Sequence, residues 1–217
     1  MIRIDRLNTS APKLRRGLYL ILTDPRDGFA GLCRWAVEAE LPAVQLRYKG
    51  ADEEEQLRLA LTLRKITQGT ATLFIVNDRP DIALLSGADG LHVGQEDLPA
   101  QEARRLIGPD RLLGLSTHNL EQVEAANDAP VDYIGFGPLY ATPSKARPDP
   151  VLGPQALKEA LARSRHPIVA IGGLTLAYIR QLHPRPHNAA VIRAVSDAPD
   201  PKAMMRALNA ACLFSEC

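Results

Sequence analysis

Cysteine is scarce in this 217-residue sequence, and long apolar runs and an excess of either charge are missing. Cys33, Cys212 and Cys217 have no metal-ligand spacing, which argues against a zinc finger, haem attachment or a disulfide scaffold. An odd, small set of thiols suits a reducing compartment, so a cytoplasmic protein is expected. No apolar stretch approaches the ~20 residues that a membrane-crossing helix needs. The start, MIRIDRLNTSAPKLRRG, has no apolar segment of the secretory kind. Lys plus Arg number 26 and Asp plus Glu number 25, so a net charge of +1 gives no electrostatic reason to expect nucleic acid or a membrane surface as partner. Apolar residues make up 46% and charged residues 24%, a balance that fills a core and excludes a disordered chain.

What is present is a repeat of β-rich runs and helical stretches. The candidate strands are LYLILTD (18–24), AVQLRYK (43–49), TLFIVND (72–78), GLHVG (90–94), LLGLSTH (112–118), YIGFGPL (133–139), PIVAIGG (167–173) and AAVIRAV (189–195). Several are unbroken Val/Ile/Leu runs, the pattern of strands buried on both faces. Amphipathic stretches such as EEEQLRLALTLRKI (53–66) and PQALKEALARS (154–164) lie between them. Repeated βα units predict a parallel sheet. The first and last strands start at residues 18 and 189, roughly 24 residues per unit, which suits a single-domain (β/α)8 TIM barrel. A doubly wound open sheet satisfies the same periodicity. The barrel is expected over residues 17–217, with residues 1–16 as an N-terminal extension whose Lys13, Arg15 and Arg16 read as solvated surface. The long connection ATPSKARPDPVLGP (141–154) carries four prolines, which disfavour a helix or an interior strand. Following the sixth strand, it would sit on the C-terminal face, where barrel active sites are built, and is expected to act as a lid.

Polar residues collect at the strand C-termini. Gln45, Arg47 and Lys49 share one face by the period of two, and one amide with two cations suits a polyanion. Asn77 and Asp78 end the third strand, and Asp97 follows the fourth. Two carboxylates at neighbouring rim positions suit Mg²⁺, which uses one or two carboxylates together with substrate phosphates. The plainer reading of Asp97 is a cap on the helix starting near Pro99. Ser116 can donate to a phosphate or a heterocycle, while His118 reads as a hydrogen-bonded rim residue without a catalytic role. Thr142, Ser144 and Lys145 open the lid, and Lys145 offers a point charge for a leaving pyrophosphate. Gly172-Gly173 ends the seventh strand, and Ile192-Arg193 falls in the eighth. Loops after strands seven and eight often hold a phosphate, there through backbone N–H groups. The residues thus describe two anion sites, one metal-assisted for a pyrophosphate and one for a monophosphate. No Ser or Cys nucleophile has an obvious base beside it.

The motifs QLRYK (45–49), NDR (77–79), ADGLHVGQEDLP (88–99), GLSTH (114–118), DYIGFGPLYATPSK (132–145) and VAIGG (169–173) resemble the thiamine-phosphate synthase (thiamine-phosphate pyrophosphorylase) family, in order from about residue 17 to 205. The resemblance implies condensation of hydroxymethylpyrimidine pyrophosphate with a thiazole phosphate to give thiamine phosphate and pyrophosphate. It implies a pyrimidine substrate that ionises before the thiazole nitrogen attacks. It assigns Mg²⁺ to Asp78 and Asp97. It places Gln45, Arg47, Lys49, Asn77, Ser116 and Lys145 at the pyrimidine pyrophosphate. Of these, Lys145 and Lys49 are expected to stabilise the leaving pyrophosphate, and Lys145, Lys49 and Ser116 are taken as the catalytic set. Thr142, Ser144, Gly173, Ile192 and Arg193 fall at the thiazole phosphate. Ser144 stands where the family usually has Thr, and Arg193 where it usually has Ser. The stretch HPRPHNAAVIRAV (183–195) lacks the usual Gly-Ala-Asp-Gly lead-in. The Arg193 guanidinium has three readings: pairing with a surface carboxylate, closing over the phosphate, or blocking the site. Two rival functions are a thiazole tautomerase-like relative and a non-catalytic binder of thiamine precursors. Small-molecule partners are expected, and a homo-oligomer is left open.

Overall fold

The structure, a computed structural model, describes residues 12–142 and 149–213. Ser144 and Lys145 lie outside them. Within the described residues the apolar runs form strands and the amphipathic stretches form helices. The order is β1 (Gly17–Leu22), α1 (Phe29–Glu38), β2 (Ala43–Leu46), α2 (Glu53–Thr67), β3 (Leu73–Asn77), α3 (Pro80–Ser86), β4 (Gly90–Val93), α4 (Ala100–Ile107) and β5 (Leu112–Thr117). There follow α5 (Leu120–Ala126), β6 (Tyr133–Phe136), α6 (Gly153–Arg163), β7 (Ile168–Ile171), α7 (Leu176–Gln181), β8 (Asn188–Val191), α8 (Arg193–Ser196) and α9 (Pro201–Leu213). The strands close into one barrel in the order β1 to β8, all parallel, and β8 returns to β1 with Gly17 opposite Asn188. The open sheet is thereby excluded.

Side-chain alternation divides the core in two. In β1, Leu18, Leu20 and Leu22 point outward into a cluster shared with the helices, while Tyr19 and Ile21 point inward. The inner cluster continues with Ala43, Ile75, Leu112, Tyr133, Val169 and Ala190. Both sides of each strand are buried, which is why the strand sequences show no clean polar alternation. The two inward tyrosines need space, and Gly114 provides it: a Cβ there would collide with the Tyr133 ring and His92 Nδ1.

The strands are shorter than their sequences suggested, and in two of them this moves expected site residues off the strand. β2 stops at Leu46, so Arg47 and Lys49 leave the strand and the shared face over residues 45, 47 and 49 is not formed. β8 stops at Val191, and Arg193 opens the short helix α8 instead of continuing the strand. The basic residues before β1 are exposed, as expected, and two of them also bind carbonyls of the fold. Arg15 and Arg16 are exposed, yet Arg15 Nη2 donates to the carbonyls of Glu40 (3.1 Å) and Ala71 (3.0 Å), and Arg16 Nη2 to that of Pro186 (3.1 Å). With Leu14 packed against the inner cluster, residues 14–16 close the N-terminal end of the barrel.

Candidate active site

A cavity of about 450 Å³ opens at the C-terminal ends of the strands. Its inner wall is a chain of hydrogen-bonded side chains drawn from five strands. Gln45, only 2% exposed, donates through Nε2 to the Tyr19 hydroxyl at 3.1 Å. Tyr19 Oη lies 3.0 Å from Tyr133 Oη, which lies 3.2 Å from His92 Nδ1. His92 Nε2 in turn meets Ser116 Oγ at 2.9 Å. The Gln95 side chain reaches over to the Ser116 carbonyl, fixing that residue's backbone. Burial pushes the Tyr19 and Tyr133 hydroxyls far above the ordinary tyrosine range, so both keep their protons.

Of the residues expected from sequence, Gln45, Arg47, Asn77, Ser116, Thr142, Gly173, Ile192 and Arg193 line this cavity. Arg47 Nη1 is shielded from solvent and has no hydrogen-bond partner among the described residues, an arrangement that suits an arriving anion. Lys49 lies beyond the strand and outside the cavity lining. Partial burial and the Arg47 charge beside it pull its ammonium below the usual lysine range. Asp78 and Asp97 stand at the rim of the β3–β4 side, also outside the lining. Asp78 has φ +63°, a left-handed conformation that Asp tolerates better than most residues, and its N–H donates to the His92 carbonyl at 2.8 Å. Asp97 Oδ2 accepts the Gly94 N–H at 2.7 Å, folding its carboxylate back onto the end of β4. It does not cap α4, whose first turn follows Pro99 with no side-chain cap.

Mg²⁺ is the metal that the sequence resemblance implies. Asn77 and His92 are register partners, so Asp78 and the Gly94–Asp97 turn emerge side by side. Two hard carboxylates leaving adjacent strands fit Mg²⁺, which keeps waters and phosphate oxygens in its shell. Among the described residues there is no cluster of three or more His, Cys, Asp or Glu side chains that would form an all-protein cage.

The β6–β8 side is built differently. Gly172 and Gly173 have φ +100° and +61°, and a Cβ on Gly173 would sit 2.6 Å from the Ala141 carbonyl oxygen. Both glycines are therefore required by the close passage of residues 138–141, whatever the cavity holds. The stems of the 141–154 connection are anchored: Tyr140 stacks on Tyr178 with centroids 3.9 Å apart, and the Leu152 N–H donates to the Pro138 carbonyl at 2.9 Å. His118 is a hydrogen-bonded rim residue, its Nδ1 2.7 Å from the Gly137 carbonyl and 3.7 Å from Asp149. Arg193 takes the first of its three readings: Nε donates to Asp197 Oδ2 at 2.6 Å, and that contact holds the Asp197 carboxyl below the usual range.

Sequence reasoning missed Tyr19, His92 and Tyr133. Each sits inside an apolar strand run, where a polar tip that must find a partner was the available signal.

A closed parallel barrel with amides, hydroxyls, a half-buried arginine and two carboxylates at its strand ends defines a phosphate-handling (β/α)8 enzyme. Residues 18–196 match the thiamine monophosphate synthase family, and the chain belongs to that family of transferases. It is 42% identical over 189 residues to the thiamine-phosphate synthase of Vibrio campbellii, covering 86% of this chain and 93% of that one. It is 40% identical over 189 residues to that of a Synechococcus species, covering 87% of this chain but 53% of the relative, so it spans about half of that relative's length. A solved thiamine phosphate pyrophosphorylase from Pyrococcus furiosus superposes with a TM-score of 0.83 at 32% identity, over 94% of this chain and 98% of that one.

Proposed function

We propose that this chain is a thiamine-phosphate synthase whose barrel, assigned to residues 17–217, joins hydroxymethylpyrimidine pyrophosphate to a thiazole phosphate, releasing pyrophosphate. The observation that carries this reading is the pairing, in one cavity, of a hydrogen-bonded polar wall of amide, hydroxyl and imidazole groups with an anion-ready rim. An aminopyrimidine offers an N–H donor beside a ring-nitrogen acceptor. Gln45 uses its Nε2 on Tyr19, and its carbonyl oxygen makes no hydrogen bond among the described residues, so it suits the amino group. Ser116 suits the acceptor. Arg47 and Asn77 lie between this wall and the rim, where a pyrophosphate attached to the pyrimidine would extend.

The reaction breaks the C–O bond to the pyrophosphate, which leaves with the electron pair. The resulting pyrimidine methylene cation is attacked by the thiazole nitrogen. Charge grows on the departing oxygens, so fixed cations there act mainly on the transition state. Arg47 suits that role, and Lys49 and Lys145 are assigned to it as cations expected at the pyrophosphate. Asp78 and Asp97 would hold Mg²⁺, which when bound supplies neutralisation of pyrophosphate charge. Backbone groups at Gly173 and Ile192, with Thr142 and Ser144, are assigned to the thiazole phosphate. The 141–154 connection is assigned as the lid. A cytoplasmic enzyme of small molecules, free to form a homo-oligomer, suits the remaining features. No described helix is long and apolar enough to cross a membrane. Burial pushes the Cys33 thiol up to about 12 and the Cys212 thiol to about 11, values of protonated thiols rather than reactive thiolates.

The test supplies both substrates with Mg²⁺ and follows pyrophosphate and thiamine phosphate together. Their appearance in equal amounts, abolished by EDTA, is expected. A tautomerase-like relative would release no pyrophosphate, and a binder would form neither product.

A further inference from the structure

Ser116 meets the cavity at one end of the buried hydrogen-bond chain, and the direction of that chain decides what its hydroxyl offers. Five side chains are linked, and each link holds one proton. With the amide turned as it stands, Gln45 Nε2 donates to the Tyr19 oxygen, which is then an acceptor at the first link. If Tyr19 passes its hydrogen to Tyr133, Tyr133 passes its own to His92 Nδ1. The imidazole then carries its proton on Nε2 and donates it to Ser116 Oγ. Every internal donor in this arrangement finds an acceptor, and the Ser116 hydrogen is left for the cavity. The reverse direction makes Tyr133 donate to Tyr19, whose oxygen then receives two donors while its own hydrogen has no acceptor among the described residues. It also turns the Ser116 hydrogen inward, onto His92 Nε2. Buried donors are rarely left unmatched, so the first direction is favoured.

We infer that Tyr133 holds His92 as its Nε2–H tautomer, and that His92 is thereby a positioning residue which makes Ser116 a hydrogen donor to the pyrimidine substrate. The inference rests on the function proposed above for its substrate, but the tautomer itself does not depend on any reaction. Gly114 belongs to the same device, because only its missing side chain lets Tyr133 and His92 meet. The positioning is mechanical as well as electronic. A fixed N–H on one side of Ser116 Oγ selects a single rotamer, and the Gln95 bond to the Ser116 carbonyl holds the backbone beneath it.

Two measurements test this. In the full-length wild-type protein labelled with ¹⁵N-histidine, long-range ¹H–¹⁵N correlations are expected to show an unprotonated Nδ1 and a protonated Nε2 for His92. A protonated Nδ1 on the neutral ring overturns the inference. The second is a double-mutant cycle. Tyr133→Phe is expected to lower kcat/KM for the pyrimidine pyrophosphate about tenfold, the loss of roughly 1.4 kcal/mol expected for one hydrogen bond, with the thiazole phosphate KM unchanged. In a Ser116→Ala background the same change is expected to cost nothing further. Full additivity of the two losses would mean that Tyr133 acts independently of Ser116 and would refute the positioning role. A wild-type enzyme that releases no pyrophosphate would defeat the proposed function, while the histidine spectrum would still decide the tautomer.

Discussion

The two ends of the barrel treat charge in opposite ways. At the N-terminal end, charged groups are consumed by the fold. Asp132 Oδ2 accepts from the Leu113 N–H at 2.7 Å and from Arg104 Nη2 at 2.6 Å, while Arg104 also donates to the carbonyls of Gly108, Arg111 and Pro130. Asp89 repeats the device two strands earlier, with Arg64 at 2.8 Å and the Phe74 N–H at 2.9 Å. At the C-terminal end the wall is built from hydrogen-bonded amide, hydroxyl and imidazole groups, and Arg47 keeps a guanidinium nitrogen without a partner among the described residues. Saturated charges make joints between strands and helices. An unsaturated one beside a hydrogen-bonded polar wall suits a site. The same residue types therefore have different work according to which end of a strand they occupy.

The comparison breaks if carboxylates at the two ends behave alike on substitution. Asp78→Asn and Asp97→Asn are expected to lower kcat by on the order of 10² or more, consistent with losing metal-supplied charge stabilisation, and to leave the melting temperature nearly unchanged, because Asn tolerates the positive φ of residue 78 and can still accept the Gly94 N–H. Steady-state pyrophosphate release and a thermal melt on each variant decide this. Full activity of both variants in EDTA would remove the metal assignment.

Gly114→Ala should have the next largest effect on turnover, because a methyl group there pushes Tyr133 and His92 apart. About a tenfold loss in kcat/KM for the pyrimidine substrate is expected from the broken hydrogen bond, with an overpacking cost of about 1–3 kcal/mol in stability. Unaltered kinetics would show that the buried wall does not serve the reaction.

Asp132→Ala at the opposite end is expected to give the inverse result. Stability should fall by about 1–3 kcal/mol, from the unmatched Leu113 N–H and Arg104, while kcat stays within a factor of about two. Denaturant unfolding and initial rates measure the two halves. A large fall in kcat for a still-folded Asp132→Ala would erase the division of labour between the ends.

The smallest effect is expected at Arg193. Its guanidinium pairs with Asp197 on a surface where both side chains are about half exposed, and exposed pairs contribute little. Arg193→Ser should change the thiazole phosphate KM by about twofold or less and leave the pyrimidine KM alone. A tenfold rise in the thiazole phosphate KM would mean that the side chain leaves Asp197 to bind phosphate.

Much of the barrel was legible because strand runs buried on both faces and amphipathic helices leave different periodicities. The positions of Gln45, Arg47, Asn77 and Ser116 were legible for a related reason: polar residues interrupt apolar runs at strand ends. Strand length was less legible. AVQLRYK reads as one strand, yet pairing stops at Leu46, because hydrogen bonding to neighbouring strands, not propensity, ends a strand. VIRAV reads as the end of β8 but turns helical at Arg193. The Gly172-Gly173 pair stood out in the sequence as a close-approach point, and its positive φ angles answer to the passage of residues 138–141.

By itself the sequence determined the class of fold, the family, and which strand ends bring polar residues to the cavity, because these depend on periodicity and on short local motifs. Only the tertiary structure decided that Tyr19, His92, Tyr133 and Ser116, drawn from four different strands, form one hydrogen-bonded wall with Gln45. It alone decided that Asp97 turns back to Gly94 instead of capping a helix, and that Arg193 finds Asp197. The physical reason is common to all three. A buried polar group is matched by whatever barrel closure brings beside it, and that neighbour lies far away along the chain.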